Sequence, residues 1–182
     1  MKRMIASMVA LLLVATVAIA ATVKSGPDIG EGVAAFNVKD ITGPSAGKSL
    51  CYRCQYGAKP VACIFTREIT DEVASLIAEI DKTVGANKDK KMCSFVVLLT
   101  DDADAGAKQL AKLAKDKDIK NVPLTVYDGN AGPDSYKIAK DAAVTVLYWN
   151  KSRLQSSHAF AAGKMTSDDV KAVVADASTI LK

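Results

Sequence analysis

A chain of 182 residues, 49% of them hydrophobic, can enclose one real core and leaves little room for a second domain. Its formal net charge is +4, and without Lys2 and Arg3 of the N-terminal stretch its 24 basic residues become 22, set against 20 acidic ones. A surplus that small argues against nucleic acid, or an anionic membrane surface, as the partner.

Residues 1–20 read as a secretory signal: two basic residues, an apolar run, then Ala18-Ile19-Ala20. A retained membrane anchor is the other reading of that run. Thr22, Lys24, Ser25, Gly26 and Pro27 follow at once and favour cleavage, which would leave no stable membrane contact and a periplasmic or secreted product. Residues 21–32 are expected to be a flexible lead-in, and residues 33–182 to form the domain. Residues 36–41 alternate apolar and polar as a half-exposed strand, 42–47 form a turn, and 48–52 return as the second arm of a hairpin ending at Cys51 and Cys54. The turn comes close to a phosphate-binding loop, but Thr42 stands where the first glycine should be and no helical pattern follows Ser49.

Residues 61–66 are a short apolar run, expected as a buried strand. Val73, Ile77, Ile80 and Val84 recur at helical spacing behind Thr70, a fair N-cap followed by Asp71 and Glu72. Residues 95–99 form a second buried strand, preceded directly by Cys93. Asp101, Asp102 and Asp104 open a lysine-rich helix, 122–127 form a third strand and 133–140 a helical turn. Residues 143–149 and 152–160 form a closing hairpin about Asn150-Lys151. A last helix over 166–181 starts at Thr166 and Asp169, which are spaced like a capping box. Strands alternating with helices imply an α/β domain whose central sheet is mixed, mostly parallel, and covered by helices on both faces.

The four cysteines allow three full pairings, and spacing does not choose among them. Cys63 lies inside the first core strand and reads as a small buried hydrophobe. Cys51 and Cys54 precede the first core strand and Cys93 precedes the next; if those two strands run parallel and adjacent, all three thiols lie at one end of the sheet. Three roles stay open for them. As a structural clamp, a Cys51–Cys54 bond closes so short a loop that it is worth only about 2 kcal/mol, and Cys54–Cys93, at about 4 kcal/mol, would be the better staple. As an exchangeable couple, Cys51 and Cys54 would be the catalytic thiols, with Cys93 a possible resolving thiol and protein thiols or disulfides as partners. As a metal site, the three sulfurs would supply soft ligands for copper or zinc with His158, the only histidine, as a fourth. No cofactor is called for, and oligomeric state is not legible.

With its residues, this order resembles the thioredoxin-like superfamily, nearest the branch of the peroxiredoxins and the periplasmic thioredoxins of cytochrome maturation. The resemblance rests on residues 36–43 as the opening hairpin, 59–65 as the first core strand and 144–150 as the late strand and turn. It implies a thioredoxin-like fold and thiol–disulfide oxidoreductase chemistry. The superfamily's reactive cysteine follows the first core strand, whereas here that segment, residues 66–71, contains none, so peroxiredoxin-type peroxidase activity is not expected. The place of the family's cis-proline reads Ala142-Ala143-Val144. The resemblance therefore implies either an oxidoreductase with a relocated Cys-x-x-Cys pair or a non-catalytic binding or scaffold domain that kept the fold.

Overall fold

The computed structural model describes residues 23–182; the expected signal lies outside the described residues. The elements run β1 (Val38–Asp40), β2 (Ser49–Leu50), α1 (Tyr52–Tyr56), β3 (Val61–Thr66), α2 (Asp71–Ala86), β4 (Cys93–Thr100) and α3 (Ala103–Asp116). They continue with β5 (Leu124–Asp128), a 3-10 turn at Asp134–Tyr136, β6 (Val144–Asn150), β7 (Arg153–Phe160), α4 (Ser167–Asp176) and a closing 3-10 turn at Ala177–Ile180. Seven strands form one sheet in the order β2-β1-β5-β4-β3-β6-β7. β3, β4 and β5 are mutually parallel, while β1, β6 and β7 pair antiparallel to their neighbours.

The central strands have near-continuous apolar sequences because both faces are covered. Ile64, Val96, Val126 and Val146 point toward α2, α3 and α4 on one face. Cys63, Phe65, Phe95, Leu147 and Trp149 point the other way, into a core closed by the N-terminal segment, α1 and the Asp134–Tyr136 turn. The long helices thus share one face, and short helical turns and aromatic side chains cover the other. Phe36 lies 4.8 Å from Tyr136 and 5.7 Å from Phe65, ring centre to ring centre, and seals this second face.

The helix starts follow the capping pattern in the sequence. The Thr70 side chain accepts the Val73 amide at 3.3 Å, and Thr166 and Asp169 form a reciprocal capping box. The last helix is shorter than expected: it gives way to 3-10 geometry at Ala177, where the Thr179 hydroxyl donates to the Asp176 carbonyl at 2.8 Å. The lead-in lies along β6 and β7. Ser25 is buried, with its hydroxyl 2.7 Å from that of Thr145, and the amides of Gly30 and Val33 donate to Leu154 and Ser152.

Candidate functional site

Cys51 and Cys54 are joined by a disulfide. They do not sit at the end of an extended hairpin arm running through residues 48–52, as expected. β2 stops at Leu50, Cys51 caps a five-residue helix, and Cys54 lies within it. A helix this short shows no apolar period, so the sequence pattern had no means of signalling it. The Cys51 Sγ accepts the Cys54 amide at 3.1 Å. Cys54 is exposed and Cys51 half-buried.

Two tyrosines hold this helix to the sheet. The Tyr52 ring stacks on Phe95 with centres 5.5 Å apart, and Tyr56 packs beside it at 5.3 Å. The Tyr52 hydroxyl donates to Asp40 at 2.8 Å, and the Tyr56 hydroxyl donates to the Ser94 carbonyl at 3.1 Å. Burial pushes both phenols well above their ordinary range. They are anchors of the helix, Tyr52 buried and Tyr56 half-buried. Asp40 is itself fully buried and also accepts the amides of Gly43 and Ser45 at 2.8 Å each. The near-phosphate-loop turn is thus filled by the chain's own carboxylate. Gly43 is required there, since a Cβ would come within 2.3 Å of the Tyr52 oxygen.

Cys93 is a free, half-buried thiol at the first residue of β4, in register with Val61 of β3. Its Sγ lies 3.5 Å from the Lys91 carbonyl, and its amide donates to the Pro60 carbonyl. Burial pushes the thiol up, and Lys59 partly offsets this. Cys63 is fully buried, with its thiol pushed further up by burial alone.

The metal reading loses its geometry. Cys51 and Cys54 are bonded to each other, and no group of three or more His, Cys, Asp or Glu among the described residues is arranged to hold a metal ion. His158 pairs with Val146 of β6 and therefore faces α4, across the sheet from α1. Its Nε2 lies 2.8 Å from Asp176, which also accepts the Ser156 hydroxyl.

At the opposite end of the parallel strands, the segment following β3 carries Arg67. Its guanidinium donates to the carbonyls of Asn130 (2.9 Å), Ala139 (3.0 Å) and Ala142. Burial lowers its pKa, and Asp141 opposes that shift. Neither the Arg67 clasp nor the Asp40 hub is visible in a sequence pattern; Gly43, placed shortly after an aspartate in a strand, was the one available sign of the hub.

No family model matches the chain, and no curated protein does. Solved structures do. A protein described as a protein disulfide isomerase from Bacteroides thetaiotaomicron superposes with a TM-score of 0.65 at 15% identity, covering 87% of this chain and 94% of that one. A protein described as the thiol:disulfide interchange protein DsbE from Chlorobium tepidum gives 0.65 at 15%, over 85% and 99% of the two chains. The fold is thioredoxin-like. A yeast mitochondrial 1-Cys peroxiredoxin superposes less closely, at 0.55 and 12% identity over 81% and 75%. At these identities the likeness establishes the thioredoxin-like fold alone.

Proposed function

We propose that the chain is an exported thiol–disulfide oxidoreductase whose exchanging couple is Cys51 and Cys54. The observation that carries this reading is an accessible disulfide of short loop on a thioredoxin-like frame, with one sulfur exposed and the other receiving an N–H. A partner thiolate attacks the exposed Cys54 Sγ, and the Cys51–Cys54 bond breaks. Cys51 leaves as a thiolate favoured by the Cys54 amide. A second thiol of the partner, as thiolate, then attacks the partner's sulfur in the mixed disulfide and releases Cys54. Two electrons enter the couple, and the partner departs as a disulfide. Cys93 acts at most as a slower resolving thiol, since burial keeps it protonated at neutral pH. The Chlorobium tepidum protein, described as a thiol:disulfide interchange protein, supports the exchange chemistry.

The test is the reduction potential of the couple in a defined redox buffer, with insulin reduction as the activity. We expect a potential above about −300 mV and activity lost in Cys54→Ser; a lower potential, or equal activity in the variant, marks the bond as a structural clamp. The second reading, a non-catalytic binding domain, is favoured by Arg67, which occupies the segment after β3 where the thioredoxin-like superfamily places its reactive cysteine. Export is tested by N-terminal sequencing of the secreted product, expected to begin near residue 21.

A further inference from the structure

A near-neutral net charge conceals a separation of sign along the strands. At the end where β3, β4 and β5 begin, the loop into β3 carries Lys59, and the loop into β4 carries Lys88, Lys90 and Lys91. The loop into β5 adds Lys117 and Lys120, and the β6–β7 turn adds Lys151, whose amide donates to the Ala58 carbonyl. All of these lysines are exposed. The acids in these loops and this turn are Asp89 and Asp118, and Asp118 is already paired with Lys120 at 2.6 Å. Asp81 faces the same loops, but it is buried and its Oδ1 is taken up by the amides of Lys120, Asn121 and Val122. At the opposite end acids outnumber bases. Glu68, Asp71 and Glu72 follow β3, Asp101, Asp102 and Asp104 follow β4, and Asp168 and Asp169 open α4, set against Arg67, Lys140 and Lys164.

The basic end also has a concavity. A cavity of about 640 Å³ lies between the end of α2 and the closing turn, with Lys90 and Lys182 at its rim and Val174, Ala177 and Leu181 among its lining residues. Cationic groups around an apolar floor suit an extended segment carrying carboxylates and some apolar side chains. A lipid surface fits less well. The one exposed large hydrophobic side chain among the described residues is Ile29 on the lead-in, so this end offers no apolar anchor for a bilayer.

We infer that the basic end is a docking surface for a carboxylate-rich polypeptide segment of a partner protein, seated along the cavity between α2 and the closing turn. The surface is independent of the disulfide chemistry, and the test keeps the two apart. Full-length protein is titrated into a fluorescent oligoglutamate peptide. Saturable binding is expected, weakening at least about 10-fold between about 50 and about 500 mM salt. The triple variant Lys88→Glu, Lys90→Glu, Lys91→Glu should weaken binding by about 10-fold or more, while Lys140→Glu, Lys164→Glu, Lys171→Glu, with the same change in net charge, should change it less than about 2-fold. Cys51→Ser should bind as the wild type does, whatever becomes of the redox reading. Equal losses from the two triple variants, or no saturable binding, overturn the inference. So does binding to vesicles of anionic phospholipid without binding to the peptide. Salt-sensitive self-association without peptide binding also overturns it, in favour of a second copy whose acidic end occupies the surface.

Discussion

The two ends of the parallel strands solve different problems with different connections. Where β3 ends, the chain places Arg67, and its guanidinium gathers three backbone carbonyls from the segment leading into β6. Where β3 begins, it places a disulfide-bearing helix whose tyrosines lie on Phe95. One end is closed by charge-assisted hydrogen bonds; the other exposes a sulfur. A disulfide can therefore sit at the end opposite Arg67 with the strand order kept, since the frame depends on buried strands and not on any one loop.

The contrast is broken most forcefully at Phe95. Truncating this ring removes the platform beneath Tyr52 and Tyr56 and opens a cavity next to Trp149. Phe95→Ala should cost about 3–5 kcal/mol in urea unfolding, and should speed reduction of Cys51–Cys54 as α1 loosens. Arg67→Ala ranks next, at about 2–3 kcal/mol, because three carbonyls lose a charged donor. Its reduction potential should stay at the wild-type value. A potential that moves with Arg67 would show that the two ends are coupled. Tyr52→Phe should cost about 1 kcal/mol by removing one hydrogen bond to Asp40. If α1 is held mainly by ring packing, its rate of disulfide reduction should change far less than that of Phe95→Ala.

The core strands, the long helices and their caps were legible because they rest on local periodicity and on short-range chemistry. The apolar run of β3 and the spacing of Thr166 and Asp169 are examples. Burial of Cys63 followed from its place in that run. What stayed hidden depends on contacts remote in sequence. Arg67 is separated from its acceptors by more than sixty positions, and Tyr52 reaches Asp40 across a turn that resembled a ligand loop. The helical state of residues 52–56 is set by packing on Phe95, which no window of five residues contains. The segregation of lysines is a property of topology, because loops far apart in the chain meet only when the sheet assembles.

The smallest effect concerns the unpaired thiols. Burial raises Cys93 and Cys63 above the ordinary thiol value of 9.0, with Lys59 partly offsetting the rise at Cys93. The folded chain thus holds these protons more tightly than the unfolded chain does. Their contribution to stability is fully present below about pH 9, and is lost as the pH rises through the folded-state values. In Cys93→Ser, stability should fall less steeply above that pH than in the wild type, when both are followed by urea unfolding across the alkaline range. Lys59→Ala removes the offset, and should slow alkylation of Cys93 at fixed pH by about 2-fold. Cys63 should stay unmodified in the folded protein, since it is fully buried. If Cys93 instead reacted faster than a free thiol at neutral pH, it would take the role of attacking group, and the exchanging couple would have to be redrawn around β4.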